Sequence, residues 1–209
     1  MNRLLMPALL LAASATVAQN EPPPFAPPCE GKVWWADSNA AREDFDFWVG
    51  EWQVYDRESG LMVGFDDVEK AFGGCALRQH WRHMNDVYTL PGAPWRMQGG
   101  SHTTLGADGR WHQTWIDNNG SVIPLAGALD SDGVMVLQSD WIEYRTRQGQ
   151  PVKIRHRWHW HPQADGTIHN WGFQQLAQPR ETDWVKYYDI VYRRNAPGGP
   201  SARYGAPGG

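Results

Sequence analysis

The chain has 209 residues, a formal net charge of −4, 13 tryptophans and two cysteines. This length suits one domain with a sizeable core. The modest negative charge, with no run of Lys or Arg, argues against nucleic acid and anionic membrane surfaces as partners. No apolar run is long enough to span a bilayer.

The first 18 residues have the pattern of a secretory signal. Arg3 supplies a positive charge, an apolar stretch runs from Leu4 to Ala13, and Thr16 and Ala18 are small residues at the expected cleavage site. This pattern predicts export to the periplasm or the medium, with cleavage after Ala18. The alternative is an N-terminal helix of the domain itself.

The segments that flank the predicted domain differ from it in composition. Residues 19–37 form a proline-rich leader, and residues 195–209 form a Gly/Pro tail with almost nothing to bury. Both are predicted to be extended or disordered and to carry no function. Between them, residues 38–194 contain no internal repeat, which predicts a single domain.

The two cysteines, Cys29 and Cys75, lack the CxxC spacing of a redox or zinc site. An even number of cysteines in an exported chain favours a disulfide between them. Two separate thiols, one buried and one in the leader, are the alternative.

The first element of the domain is predicted to be a short helix in "DSNAAREDF", residues 37–45, with Asp37 or Ser38 as its N-cap. The aromatic stretch "DFDFWVGEWQVYD", residues 44–56, follows, and from Gly50 onward the chain consists of short runs rich in Trp, Val, Tyr and Thr. These runs have the composition of β-strands.

Turn signals separate these runs at regular intervals. They are Ser59-Gly60, Gly73-Gly74, Pro91-Gly92, Asp108-Gly109, Asn118-Asn119-Gly120, Asp132-Gly133, Gln148-Gly149 and Asp165-Gly166. Strands with this spacing and no long helix between them predict an all-β fold, an antiparallel up-and-down β-barrel of about eight to ten strands. A β-sandwich is the alternative.

The alternation of side chains sorts four of these strands into two faces. Arg78, Arg82, Arg155 and Arg157 assign one face of their strands to solvent. The opposite face is predicted to point inward, and it comprises Leu77, Gln79, Trp81 and His83; Trp111, Gln113, Trp115 and Asp117; Ile154, His156, Trp158 and Trp160; and His169, Trp171 and Phe173.

This interior would be aromatic but would also contain polar groups. Buried polar side chains must bond each other, water or a ligand, because an unpaired one costs a few kcal/mol. We therefore predict a binding site for a small molecule inside the barrel. Its expected lining residues are Gln79, Trp81, Gln113, Trp115, Asp117, His156, Trp158, Trp160 and Trp171. A closed polar network around a filled core is the alternative.

Several motifs of the chain resemble the DUF1579 group of lipocalin-like, exported bacterial proteins, which is largely without assigned activity. These are "FDFWVGEW" at Phe45–Trp52, "GGC" at Gly73–Cys75, "GRWHQTWIDNNG" at Gly109–Gly120 and the closing "YDIVYRR". Gly50-x-Trp52 also resembles the Gly-x-Trp signature of lipocalins and their calycin relatives.

The resemblance implies roles for individual residues. Phe45, Phe47, Trp48 and Trp52 would plug and floor the barrel. Gln79 stands where members of the group often carry Glu, which weakens the case for acid–base chemistry at that position. Members often have a cysteine before "FDFW", which adds to the argument for a Cys29–Cys75 disulfide.

Metal and cofactor sites are not expected. His159-x-His161 lies on one face of a strand, but no third ligand follows at a fixed spacing, and the neighbouring arginines would repel a cation. Haem would need His156 or His169 as its ligand, as in nitrobindin-like barrels, and no CxxCH occurs. No GxSxG marks a nucleophile.

Three functions remain open at this stage. The favoured one is binding or carriage of a small hydrophobic or aromatic molecule in the cell envelope. The second is an enzyme that uses Asp117 with His83 or His156 as an acid–base pair. The third is a filled barrel that acts through its surface as an envelope interaction module. The sequence does not predict an oligomeric state.

Overall fold

The computed structural model describes residues 40–88, 95–146, 148–177 and 181–200. These residues form eleven β-strands and three short 3-10 helices. The strands are β1 (Gly50–Asp56), β2 (Met62–Ala71), β3 (Ala76–His83), β4 (Gln98–Leu105), β5 (Trp111–Asp117), β6 (Val122–Leu129), β7 (Met135–Gln138), β8 (Ile142–Arg145), β9 (Pro151–Pro162), β10 (Ile168–Leu176) and β11 (Val185–Arg194). The 3-10 helices are Ala40–Arg42, Asp46–Trp48 and Phe72–Gly74.

The strands form one closed antiparallel barrel. Strands β1 to β7 pair in chain order, β7 pairs with β9, and β9, β10 and β11 continue in sequence. β11 then pairs with β1, with Trp52 opposite Arg194, and this pairing closes a ring of ten strands. The short strand β8 pairs with β9 at Ile154, beyond the segment of β9 that β7 covers. The predicted antiparallel barrel is therefore confirmed.

The turn signals of the sequence lie between consecutive strands wherever the structure describes them. In the β5–β6 turn, Gly120 has a φ of +83°, a conformation that side chains other than glycine rarely adopt. Asp117 accepts the backbone N–H of Asn119 in the same turn, at 2.9 Å. The Pro91-Gly92 signal lies outside the described residues. These turns explain why most strand boundaries could be predicted. The β7–β8 and β10–β11 boundaries carry none of the predicted signals, and the closed ring has ten strands, within the predicted eight to ten.

The predicted N-terminal helix is not found in the described part of its segment. The chain instead forms two single 3-10 turns, Ala40–Arg42 and Asp46–Trp48, and Phe45 between them has φ −111° and ψ 6°. Side chains three residues apart are eclipsed in a 3-10 turn. This conformation turns Phe45 and Trp48 to the same side, where both are fully buried.

These rings pack in the core beside the first residues of β1. Phe45 stacks on Trp48 with ring centroids 5.0 Å apart and meets the edge of Trp160 at 5.2 Å. The indole nitrogen of Trp52 donates to the carbonyl oxygen of Trp48 at 2.9 Å. The Arg194 guanidinium lies over the Trp52 ring, 3.9 Å from its centroid. This packing matches the floor that the resemblance implied.

Several sequence predictions concern residues outside the described ranges. These include the signal at 1–18, the leader at 19–37 and most of the tail, of which residues 201–209 are not described. Cys29 also lies there, so its disulfide with Cys75 stays a prediction, and Cys75 itself is not a free cysteine. The described residues contain no helix with the length and apolar character needed to cross a membrane.

Candidate functional site

Three of the four sorted strands present the predicted face to the interior. On β3, Gln79, Trp81 and His83 are buried between strands β2 and β4, whereas Arg78 is exposed. The predicted residues of β5 and β9 share this orientation. The inward set is Gln79, Trp81, His83, Gln113, Trp115, Asp117, His156, Trp158 and Trp160. Asp117, at the end of β5, is half-buried.

The predicted orientation of β10 is wrong. Ile168, Asn170 and Gly172 point inward. Trp171 lies on the outer face, together with His169 and Phe173. Trp171 stacks on His159 across β9, with ring centroids 4.8 Å apart and planes 5° from parallel. Trp171 is therefore not part of an interior site.

The reason for this error is physical. His169 and Phe173 share the outer face with Trp171, and "TIHNWGFQ" contains no arginine that would fix its solvent face. The prediction therefore rested on the size of these rings alone, which placed them on the inner face. Glycine is required at the inward position 172, because a Cβ there would lie 2.1 Å from the ring of Tyr188.

A chain of hydrogen bonds between side chains crosses the inner face of β2, β3, β4 and β5. Gln79 donates to Asp66 at 2.9 Å, and Ser101 donates to Gln79 at 2.7 Å. Gln113 donates to Ser101 at 3.0 Å and to Thr103 at 3.1 Å. Gln79 is thus bonded at both ends of its amide, whereas within the described ranges Oε1 of Gln113 has no hydrogen-bond partner.

Asp66 is the ionisable residue of this hydrogen-bond chain. It is fully buried, and burial raises the pKa of its carboxyl well above the usual value. The hydrogen bond from Gln79 and the nearby Tyr192 hydroxyl oppose this rise, and the neighbouring Asp67 adds to it. The sequence did not identify Asp66 because β2 was not sorted into faces.

On the opposite wall, the inward side chains of β9 also bond to protein groups. The indole nitrogen of Trp158 donates to the Tyr187 hydroxyl. The two ring nitrogens of His156 each lie 3.4 Å from a tyrosine hydroxyl, that of Tyr144 and that of Tyr187. Burial lowers the pKa of His156 to about 4, so its imidazole is neutral at neutral pH. Trp158 meets the edge of Trp115 with ring centroids 6.1 Å apart.

The predicted acid–base pair is not assembled. Asp117 accepts hydrogen bonds from the backbone N–H groups of Asn119 and Ser121 at 2.9 and 3.2 Å, and from the Trp115 indole at 2.9 Å. Within the described ranges, neither His83 nor His156 is hydrogen-bonded to Asp117. The carboxylate therefore closes the β5–β6 turn rather than orienting an imidazole.

An open depression with a volume of about 630 Å³ lies at one end of the barrel, which we call the mouth. The β1–β2 turn, residue 88 and the first half of β11 form it. Its lining residues are Asp56, Arg57, Glu58, Tyr88, Lys186, Tyr187, Tyr188 and Asp189. None of them belongs to the predicted lining set, because the prediction covered only the inward faces of β3, β5, β9 and β10.

The polar groups of the mouth are held by one another. The Tyr88 hydroxyl donates to the carboxylate of Asp56, and Lys186 donates to Asp189 at 2.7 Å. His169 reaches the same carboxylate from the outer face of β10, also at 2.7 Å. Burial acts to raise the pKa of Asp189, but the hydrogen bonds from Lys186 and His169 outweigh it, and the pKa is lowered.

Two inward side chains of β3 lie behind the mouth. The His83 ring stacks on Tyr88, with centroids 6.1 Å apart and planes 20° from parallel. The Trp81 ring meets His83 edge-on at 5.2 Å. In the described part of the chain, neither Trp81 Nε1 nor His83 Nδ1 has a hydrogen-bond partner. Burial lowers the pKa of His83 to about 4.

Among the described residues, no group of three or more His, Cys, Asp or Glu side chains is arranged to hold a metal ion. His159 and His161 lie on the outer face of β9, as predicted. His159 packs between Trp171 and Phe173.

A scan against protein-family models finds no match to this chain, and a search of curated proteins finds none. The resemblance to the DUF1579 group therefore stays a prediction.

Proposed function

We propose that this protein binds and carries a small aromatic or amphipathic molecule at the mouth of its barrel. The observation that carries the proposal is the open depression of about 630 Å³ at the mouth, where three tyrosines, Tyr88, Tyr187 and Tyr188, lie beside five charged side chains. Pockets for small ligands are typically about 300–1,000 Å³ and combine apolar walls with a few polar groups.

The tyrosines favour an aromatic ligand over a purely aliphatic one. The rings of Tyr187 and Tyr188 meet edge to face, with centroids 5.0 Å apart, and present both a ring face and a ring edge. Aromatic rings prefer such offset and edge-on contacts, and a phenol adds a hydroxyl at the rim of an apolar surface.

The charged groups at the rim favour a ligand with a polar end. Lys186 and Asp189 pair with each other, and Arg57 lies 3.9 Å from the same carboxylate. The lining holds the carboxylates of Asp56, Glu58 and Asp189 and the cations of Arg57 and Lys186, so charges of both signs are available at the rim to a polar group. A ligand that is apolar along most of its length and polar at one end fits this arrangement.

The proposed ligand position differs from the one predicted from sequence. The middle of the barrel carries the hydrogen-bond chain from Asp66 to Thr103 and the contacting rings of Trp115 and Trp158. Gln79 is bonded at both ends of its amide, and the rings of Trp115 and Trp158 contact each other, so these side chains occupy the middle of the barrel, which supports a ligand at the mouth. We also propose that the signal in residues 1–18 directs the protein out of the cytoplasm, and that its barrel belongs to the lipocalin-like group.

The interaction-module alternative has support from the same hydrogen-bond chain, because a barrel that is filled at its centre can act through its surface. This alternative predicts that substitutions within the mouth do not change the affinity for a small aromatic dye. The two functions therefore separate in one experiment.

The test measures the affinity of a neutral aromatic dye, N-phenyl-1-naphthylamine, by its fluorescence and by isothermal titration. Tyr187→Leu and Tyr188→Leu should each weaken binding by roughly tenfold, as expected for loss of one well-packed ring. Tyr55→Leu is the matched control, because Tyr55 lies on the outer face of β1 under Arg193 and is not among the lining residues of the mouth. Circular dichroism checks that each variant is folded. Absence of dye binding, or equal affinity in all four proteins, would exclude the mouth as a ligand site.

A further inference from the structure

We propose that the mouth selects a ligand whose polar end is an ammonium group, held by the carboxylates of Asp56 and Glu58 and by the faces of the neighbouring tyrosines. This inference rests on the proposed function and specifies the charge of its ligand. The mouth offers charges of both signs, so the choice of ligand depends on which of them are already paired within the protein.

Both cations of the mouth are directed at one carboxylate. Lys186 Nζ lies 2.7 Å from Oδ2 of Asp189, and the Arg57 guanidinium lies 3.9 Å from the same oxygen. The imidazole of His169 contacts the other oxygen of Asp189 at 2.7 Å. An anionic ligand would therefore compete with Asp189 for the two cations.

The other two carboxylates of the mouth are not paired in this way. Asp56 accepts hydrogen bonds from the Ser59 hydroxyl at 2.6 Å, from the Ser59 backbone N–H at 2.8 Å and from the Tyr88 hydroxyl. These uncharged donors, Ser59 foremost, lower the pKa of Asp56, so its carboxylate is ionised at neutral pH. Among the residues that the structure describes, no Lys, Arg or His forms an ion pair with Asp56 or Glu58.

The mouth therefore has a negative electrostatic field. Its lining contains three carboxylates, those of Asp56, Glu58 and Asp189, against two cations, which leaves one negative charge uncompensated. Burial raises the pKa of Tyr88, and its hydrogen bond to Asp56 and the negative charges of Asp56 and Asp189 add to this rise. A field of this sign attracts a cation to the mouth and opposes the approach of an anion.

The aromatic walls of the mouth favour the same ligand charge. Tyr88, Tyr187 and Tyr188 line the same open depression as the two carboxylates. The face of an aromatic ring carries the negative part of its quadrupole and attracts an ammonium group. An ammonium also has three N–H donors, which can bond a carboxylate while the attached carbon packs against a ring. The ligand class that fits the mouth is therefore an amphipathic amine.

The test uses three probes that share a 1-naphthyl ring and differ in the charge of one group. They are 1-naphthylmethylamine, which is an ammonium at neutral pH, uncharged 1-naphthalenemethanol and anionic 1-naphthoate. Isothermal titration at low salt measures their affinities. We expect the amine to bind the wild type roughly tenfold more tightly than the alcohol, as for one hydrogen bond to a charged group, and naphthoate to bind more weakly than the alcohol.

The variant combines Asp56→Asn with Glu58→Gln. The amide at position 56 can still accept the hydrogen bonds from Ser59 and Tyr88, so the fold of the turn is preserved. The preference for the amine should fall to less than about threefold, because only weak charge interactions remain. The matched control combines Glu51→Gln with Asp132→Asn, which removes the same charge from exposed positions outside the mouth and should keep the preference. The affinity for the alcohol should be equal in all of these proteins.

A second readout needs no variant. Because salt screens charges, the preference of the wild type for the amine should shrink as NaCl is raised to about 0.5 M, whereas the affinity for the alcohol should not fall. Tighter binding of naphthoate, equal affinities for the three probes, or an unchanged preference in the Asp56 and Glu58 double variant would show that the ammonium assignment is wrong, while binding of the alcohol would still support the mouth as a ligand site. If no probe binds, the proposed function and this inference both fail.

Discussion

Gln79 donates a hydrogen bond from Nε2 to Oδ2 of Asp66 across β3 and β2, with the two atoms 2.9 Å apart. An uncharged amide thus holds a fully buried carboxyl, and burial raises the pKa of Asp66. The folded state therefore binds a proton at this site more tightly than the unfolded chain does. The stabilisation that Asp66 contributes is present below its ordinary pKa of 3.8 and is lost as the pH rises through its raised folded value.

Replacing Asp66 with Asn should stabilise the protein increasingly as the pH rises. Asn cannot ionise and can still accept the hydrogen bond from Gln79. Between the ordinary pKa of 3.8 and the raised folded pKa, the difference in unfolding free energy between the variant and the wild type should grow by up to about 1.4 kcal/mol per pH unit, and above the folded pKa it should level off. Urea titrations at about pH 5, 7 and 9 measure this difference. Asp140→Asn, at an exposed position, is the control, and a difference independent of pH would refute the prediction.

The two buried histidines should give the opposite pH dependence, between about pH 4 and pH 6.5. Burial lowers the pKa of His83 and of His156 from 6.5 to about 4. As the pH falls below 6.5, the unfolded chain takes up protons that the folded state does not, so stability present above pH 6.5 is lost toward pH 4. Each histidine contributes a slope of up to about 1.4 kcal/mol per pH unit. His83→Asn and His156→Asn should each flatten the measured curve, and an unchanged slope in the double variant would contradict the assignment.

Trp52→Ala should destabilise the protein by about 3–5 kcal/mol, as for other large buried aromatic residues. The variant loses the hydrogen bond to Trp48 and the packing under Arg194. Thermal and urea unfolding measure the loss. Trp95→Ala, at a half-exposed position, should cost less than about 1 kcal/mol. A Trp52 variant with unchanged stability but lost dye binding would show that this residue belongs to a ligand site.

Gln113→Leu should destabilise the fold by about 1–3 kcal/mol and leave the dye affinity at the mouth unchanged. Leu has a similar volume, but it lacks the amide N–H groups that donate to the hydroxyls of Ser101 and Thr103. A double-mutant cycle with Ser101→Ala should show coupling, because both residues belong to one chain of hydrogen bonds. Weakened dye binding with full stability would instead favour a ligand in the middle of the barrel.

The barrel could be predicted from sequence because local signals determine it. Glycine-containing turns such as the one at Gly120 mark the strand ends. Arginines such as Arg78 fix which face of a strand meets solvent. Strand β10 has no arginine that marks its solvent face, and the ring of Trp171 was therefore assigned to the wrong face. Strand β10 has large rings on one face and smaller residues on the other. Its neighbours therefore determine which face points inward, as the packing of Tyr188 over Gly172 shows.

The mouth could not be predicted because residues distant in sequence form it. Asp56 and Tyr188 come together only through the pairing of β1 with β11, and Tyr88 joins them from the segment after β3. Alternation within a strand carries no information about which strand ends meet. The interior polar residues were identified on β3, β5 and β9, but their partner Asp66 was not, because buried aspartates on a strand look like solvent-facing ones in a sequence.

Closure of the barrel by its first and last strands has a consequence for how the chain reaches this structure. Gln53 and Asn195, which bond at 3.1 Å across this seam, are 142 positions apart. Contacts of such long sequence separation form slowly, because a large loop must close before they gain any stabilisation. Until β11 has been synthesised and has docked, β1 and β10 each present a free backbone edge that can pair with another chain. Shielding of these edges during biogenesis, by rapid folding or by a chaperone, is therefore a requirement that the topology itself imposes.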